Sequence, residues 1–126
     1  MKKILLVDDL GIDVLLTRVA IEEMRFPHQL TVARDGEEAF ALATGERFDL
    51  LILDIKMPRV DGFEFLARWR AHDGSDAPVV IVSGSGLDAD RRRAQELNAA
   101  AYIQKAVDFS AFKAELKATL QRLKIA

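Results

Sequence analysis

Four charged side chains of this sequence share one kind of position, at the carboxyl end of a short apolar run. They are Asp8, Asp9, Asp54 and Lys105. Parallel strands of an open α/β sheet end at the same edge, where such sheets bind ligands, so we expect these side chains to converge. Carboxylates packed together repel unless a cation neutralises them, and oxygen ligands favour a hard ion such as Mg²⁺. Because the lysine supplies a positive charge for a phosphoryl oxygen, these residues predict a site for phosphate and magnesium.

Ser83 ends a further apolar run and precedes Gly84. Its hydroxyl group could reach the same phosphoryl oxygens, and the glycine leaves room for them. Each of these residues alone also has a plain structural explanation, since acids after strands often cap helices and a lysine or serine there is often only solvated. The prediction of a site therefore depends on all of them falling at successive strand ends.

The composition indicates one small globular domain, which we place at residues 1–126. Of the 126 residues, 50% are hydrophobic, and the formal net charge of −2 does not provide the basic face that DNA binding requires. The sequence has no cysteine, and no apolar run approaches the roughly 18 residues of a membrane span. Since Asp8 and Asp9 interrupt the first apolar stretch too early for a signal peptide, we expect a cytoplasmic protein.

Short runs rich in valine, isoleucine and leucine alternate with amphipathic stretches along the chain. The runs are Ile4–Val7, Leu30–Ala33, Leu50–Leu53, Val79–Val82 and Ala101–Gln104. Continuous hydrophobicity is typical of strands buried on both faces, in a parallel sheet that helices cover. Repeated strand-helix units therefore predict a doubly wound α/β domain. The second run contains Thr31 and has polar flanks, so we place it at an edge of the sheet.

Helical spacing marks the intervening stretches. The apolar face of the first helix is predicted from the i, i+3, i+4, i+7 spacing of Ile12, Leu15, Leu16 and Val19. Trp69 completes the apolar stripe of the third helix and is expected in the core. Asn98 follows the fourth helix, where asparagine tolerates the left-handed conformation that helix ends need.

The last helix has an N-cap candidate in Asp108. Val107 and Phe112 have the spacing of a hydrophobic staple around this cap. If Phe112 is the staple residue, Phe109 points outward and adds an exposed aromatic side chain to the surface.

The sequence resembles response-regulator receiver domains over essentially its whole length. The motifs that carry the resemblance are Leu6-Val7-Asp8-Asp9, Leu53-Asp54-Ile55-Lys56-Met57-Pro58, Asp61-Gly62 and Lys105. This family implies a flavodoxin-like (βα)5 fold whose five-stranded parallel sheet has the order 2-1-3-4-5. The segments Asp13-Val14-Leu15-Leu16-Thr17 and Ala33-Arg34-Asp35-Gly36-Glu37-Glu38-Ala39 also resemble single-domain receivers partnered with phytochrome-type histidine kinases.

The resemblance implies a role for each residue of the predicted site. Asp54 would accept a phosphoryl group, which Lys105 would contact. Asp8 and Asp9, together with Asp54 and the backbone carbonyl of Lys56, would bind Mg²⁺. The acyl phosphate would then draw the hydroxyl switch residue inward.

That switch residue is Ser83, and its movement would vacate space for the aromatic Tyr102. The family implies a stand-alone response regulator without an output domain, phosphorylated by a histidine kinase or a histidine phosphotransfer protein. It would not be an enzyme, although it assists its own phosphorylation and dephosphorylation. A target protein, or a second copy in a homodimer, would bind the face formed by the fourth helix, fifth strand and fifth helix, with no DNA and no membrane as partners.

Two residues beside the site depart from the family pattern or modulate it. Ala106 stands where the family usually has a proline after a cis peptide bond, and a non-proline cis bond costs ~3 kcal/mol. We expect a trans bond and a loosened loop, with cis as the alternative. Lys56 would lie over the phosphoryl group and pair with it or with Asp9, which predicts slow hydrolysis; the alternative is a lysine that points into solvent.

Two other functions are compatible with parts of the sequence. Haloacid-dehalogenase-type phosphatases also use a strand-end aspartate nucleophile with Mg²⁺, but they need a second aspartate where this chain has Lys56. A degenerate receiver could act as a constitutive scaffold, an alternative that only Ala106 supports. Phosphomonoester turnover would favour the first, and failure of Asp54 to accept phosphate would favour the second.

Overall fold

The computed structural model describes residues 1–57, 61–72, 76–105 and 108–126. Within these ranges five strands and five helices alternate along the chain. The strands are β1 Lys2–Val7, β2 His28–Ala33, β3 Leu50–Leu53, β4 Val79–Ser83 and β5 Ala101–Gln104. The helices are α1 Gly11–Glu23, α2 Gly36–Gly45, α3 Gly62–Arg70, α4 Asp88–Glu96 and α5 Phe109–Arg122.

The strands form one parallel sheet in the order β2-β1-β3-β4-β5. The predicted doubly wound fold and its strand order are therefore confirmed, as is the edge position of β2. The register pairs Val7 with both Ala33 and Leu53, so the carboxyl ends of β1, β2 and β3 lie level at one edge. Within the described ranges, no helix combines the length and the apolar character needed to cross a membrane.

Alternate side chains of each strand enter two hydrophobic layers, one on each face of the sheet. Ile4 and Leu6 of β1 belong to the layer that α1 and α5 cover, whereas Leu5 and Val7 belong to the layer under α2, α3 and α4. The central strands are buried on both faces, which explains why their sequences are continuously apolar. Trp69 is buried in the layer under α2, α3 and α4, as predicted.

The predicted apolar face of α1 is wrong, although the helix itself is present. Ile12 and Leu15 are 55% and 53% exposed, and Leu16 and Val19 are half-buried rather than buried. The buried residues are Val14, Thr17, Ala20 and Ile21. Both sets follow helical spacing, and α1 buries the set with smaller side chains in the layer that it shares with α5.

Side-chain caps fix the starts of three helices. Asp35, Asp61 and Asp108 each accept a hydrogen bond from a backbone N–H of the first turn, so the predicted cap of α5 is confirmed. Asn98 has a φ of 60°, the left-handed conformation expected of it.

The region around the cap of α5 departs from the prediction in one respect. Phe109 is half-buried rather than outward-pointing, because its ring packs on Phe112 at a centroid distance of 6.3 Å and Lys113 lies over it. Val107, the other half of the predicted staple, lies outside the described residues.

Candidate phosphate and metal site

The backbone brings the predicted charged residues together at the carboxyl ends of the strands. The N–H of Asp8 donates to the carbonyl of Ala33 at 3.0 Å, and the N–H of Asp54 donates to that of Val7 at 2.9 Å. The N–H of Lys105 donates to the carbonyl of Ser83 at 2.7 Å. These hydrogen bonds continue the sheet beyond its strands, so the side chains meet where the sequence predicts.

Three carboxylates lie close enough together to share a cation. Asp8, Asp9 and Asp54 each offer an oxygen, and these oxygens all lie within 4.8 Å of one another. Asp8 is 3% and Asp54 7% exposed, whereas Asp9 is exposed. Hard oxygen donors of this kind fit Mg²⁺ or Mn²⁺.

The pKa of Asp8 is raised chiefly because its carboxyl group is buried. Burial raises the pKa of the Asp8 carboxyl from 3.8 to about 6, against the hydrogen bond from Leu10 and the charge of Lys105, which lower it. The neighbouring charges of Asp54 and Asp13 contribute to this raised pKa. A bound divalent cation would remove this penalty, so the donor set fits a metal both in chemistry and in electrostatics.

Local turns orient the two buried carboxylates. Oδ1 of Asp8 accepts the N–H of Leu10 at 3.0 Å, and Oδ1 of Asp54 accepts the N–H of Lys56 at 3.1 Å. Oδ2 of each carboxylate faces Lys105, whose Nζ lies 3.4 Å from Asp8 and 3.5 Å from Asp54. Both aspartates are thus fixed by backbone groups two residues further along the chain.

Lys105 has a nearer partner that the sequence analysis missed. Its Nζ lies 2.6 Å from Oδ2 of Asp13, in the first turn of α1. Burial lowers the pKa of Lys105, but the hydrogen bond to Asp13 and the charges of Asp54, Asp8 and Asp13 outweigh it and leave the pKa above its usual value. The sequence offers no local signal of this pairing, because an acid in a first turn is ordinarily explained by the helix dipole and Lys105 lies 92 positions away.

Ser83 and Tyr102 are connected through one residue between them. Ser83 is fully buried, and its Oγ accepts the N–H of Ser85 at 3.2 Å. The hydroxyl of Tyr102 donates to the carbonyl of Ser85 at 2.8 Å. Above the Tyr102 ring, the guanidinium of Arg91 lies 4.7 Å from the centroid.

Other residues of the motif surround the end of β3. The Lys56 side chain is exposed, and none of the ion pairs between described residues joins it to Asp9. A Cβ on Gly62 would lie 2.6 Å from Cα of Ile55 and against the carbonyl of Asp54, so only glycine fits there. Pro58 and Ala106 lie outside the described residues. The choice between a cis and a trans Lys105-Ala106 peptide bond therefore stays a prediction.

The family is decided by a match to the response regulator receiver domain that spans residues 4–117. The chain belongs to the receiver family. Among solved structures, this receiver is similar to the phosphorylated cyanobacterial phytochrome response regulator RcpA, with a TM-score of 0.86 and 32% identity over 95% of this chain and 91% of that one. It is also similar to the Mn²⁺-bound form of response regulator Rcp1, with a TM-score of 0.88 and 26% identity over 96% and 93% of the two chains.

Curated relatives of the receiver are longer proteins. The alkaline phosphatase synthesis transcriptional regulatory protein PhoP of Bacillus subtilis is 34% identical over 125 residues, which cover 99% of this chain and 51% of that protein. The receiver spans about half the length, or less, of the curated relatives it matches first.

Proposed function

We propose that this receiver accepts a phosphoryl group from a histidine kinase or a histidine phosphotransfer protein on the carboxylate of Asp54. It then signals through a phosphorylation-dependent interaction with another protein. The observation that carries this proposal is the position of Asp54 at the sheet edge, beside the ammonium group of Lys105 and the carboxylates of Asp8 and Asp9. A phosphoryl group on Asp54 would meet positive charge at once.

The transfer is an in-line displacement at phosphorus. An oxygen of Asp54 forms a bond to phosphorus while the bond from phosphorus to the donor imidazole nitrogen breaks, and the imidazole leaves with the electron pair. Lys105 neutralises charge on the equatorial oxygens. Asp8, Asp9, Asp54 and the backbone carbonyl of Lys56 would hold Mg²⁺, which when bound neutralises further charge on those oxygens.

The hydrogen bonds around Ser85 provide a route from the site to the surface. If Ser83 turns its hydroxyl towards a phosphoryl oxygen, the N–H of Ser85 loses its acceptor. A shift of Ser85 then moves the carbonyl that holds Tyr102, and the ring of Tyr102 moves into the space that Ser83 vacates. Phosphorylation biases this equilibrium only by the contacts it makes in the active form.

The signal would be read on the face formed by α4, β5 and α5. Tyr102 lies there beneath Arg91, so a change in the ring repositions a charged group at the surface. A target protein or a second copy of the receiver would bind here.

Phosphotransfer profiling tests this function. Histidine kinases charged with labelled ATP are mixed briefly with the receiver or with its Asp54→Asn variant in the presence of Mg²⁺. We expect one kinase to transfer label far faster than the others, to the wild type only. Equal labelling of the Asp54→Asn variant would refute the assignment of the acceptor. Complete failure of transfer, combined with phosphate-independent partner binding, would favour a constitutive scaffold.

A further inference from the structure

Asp13 stands outside the group of carboxylates that can share a cation, yet it is the anion nearest to Lys105. The oxygens within 4.8 Å of one another among the described residues belong to Asp8, Asp9 and Asp54. Asp13 approaches the lysine Nζ to 2.6 Å, compared with 3.4 Å for Asp8 and 3.5 Å for Asp54. Its carboxylate therefore remains available to Lys105 when the other acids are engaged.

The two partners differ in how firmly they are held. Asp13 lies in the first turn of α1, where the helix dipole favours a carboxylate, and the adjoining Val14 anchors that turn in the core. Lys105 reaches it along a side chain with four rotatable carbon bonds. Both side chains are about one-fifth exposed, at 21% and 22%, so solvent screens the pair only partly.

We propose that Asp13 is a positioning residue, which holds the Lys105 ammonium group on the α1 side of the site and competes with the phosphoryl group for it. The inference rests on the proposed function and adds to it a determinant of how strongly the phosphoryl group is bound. When a phosphoryl group occupies Asp54, Lys105 must turn from Asp13 towards the new oxygens. The negative charge of Asp13 opposes both this turn and the arriving anion.

The test is binding of beryllofluoride, a trigonal anion that imitates the phosphoryl group, at saturating Mg²⁺ by calorimetry. We expect Asp13→Asn to bind it about fivefold more tightly than the wild type, the size expected for one partly screened ion pair. Asp13→Glu restores the charge and should bind as the wild type does. Glu22→Gln is the matched control, because it removes one exposed charge from the same helix roughly 13 Å away, beyond the Debye length.

Unchanged or weaker binding by Asp13→Asn, or equal tightening by Glu22→Gln, would overturn the inference. Absence of binding by the wild type itself would instead count against the proposed function. A second measurement tests the contact without any anion: lysine-selective ¹⁵N NMR should show a slowly exchanging Lys105 ammonium signal, assigned by its loss in Lys105→Arg. Asp13→Asn should lose this signal and Glu22→Gln should keep it; its persistence in Asp13→Asn would contradict the ion pair.

Discussion

Replacing Asp8 with asparagine should stabilise the metal-free protein at neutral pH. Asp8 is buried, and its pKa is about 6 in the folded protein against 3.8 when unfolded. A carboxyl group whose pKa is raised by folding binds its proton more tightly in the native state. Its ionisation therefore lowers the free energy of unfolding as the pH rises through the window from 3.8 to about 6.

The magnitude follows from the two pKa values. Asparagine imitates the neutral carboxyl and keeps an oxygen for the N–H of Leu10. The gain in the free energy of unfolding should be at most about 3 kcal/mol at pH 7, about 1.5 kcal/mol at pH 5 and about 0.5 kcal/mol at pH 4. Mg²⁺ should reduce this gain, because a cation at ten times its Kd stabilises the wild type by about 1.4 kcal/mol.

Urea unfolding in EDTA at these pH values, and again at pH 7 with excess Mg²⁺, provides the measurement. Asp88→Asn serves as the control, since Asp88 is an exposed acid in the first turn of α4, and it should change stability by less than about 1 kcal/mol. The reasoning fails if Asp8→Asn is no more stable than the wild type at pH 7, or if its gain is the same at pH 5 and pH 7.

Three further substitutions test the surroundings of the site. In urea unfolding, Gly62→Ala should lower the free energy of unfolding by about 2 kcal/mol or more, because the added Cβ meets the backbone at the end of β3. Gly45→Ala is the control: a Cβ there meets nothing within 4 Å and should change the free energy of unfolding by less than about 1 kcal/mol. Equal effects of the two substitutions would contradict the packing around Gly62. Tyr102→Phe removes the hydrogen bond to the carbonyl of Ser85 and should lower the free energy of unfolding by about 1 kcal/mol in the same assay. Its rate of phosphorylation by acetyl phosphate should stay within about twofold of the wild-type rate. Loss of phosphorylation would refute a role of Tyr102 confined to the switch. In the Lys56→Ala variant the acyl phosphate should hydrolyse about fivefold faster than in the wild type, measured as the decay of the phosphoprotein by intact mass. An unchanged rate would show that the exposed lysine only faces solvent.

The architecture could be predicted because each buried strand of this fold leaves a recognisable apolar run in the sequence. Runs such as Leu50–Leu53 are apolar at every position since both faces of a central strand are covered, and the charged residues that follow such runs reach one edge by topology alone. Asp8, Asp54 and Lys105 were predicted together for that reason. The cap at Asp108 was predicted because capping depends on a few neighbouring residues.

The predictions failed where tertiary packing chooses between equivalent local patterns. On α1 two sets of residues satisfy helical spacing, and packing against the sheet and α5 decides that Ile12 is exposed and Ala20 is buried. The pairing of Asp13 with Lys105 joins residues 92 positions apart and leaves no local trace in the sequence. Phe109 likewise packs on Phe112, a contact that helical spacing alone does not predict.

Phosphorylation of Asp54 by a small phosphodonor decides whether the strand-end site works as proposed. The receiver is incubated with acetyl phosphate and Mg²⁺, its intact mass is recorded, and the acyl phosphate is located by borohydride reduction and peptide mapping. We expect the mass gain of one phosphoryl group, located at Asp54, abolished by EDTA and absent from Asp54→Asn. No mass gain in the wild type, or a phosphoryl group at another residue, would contradict the assignment of Asp54 as the acceptor.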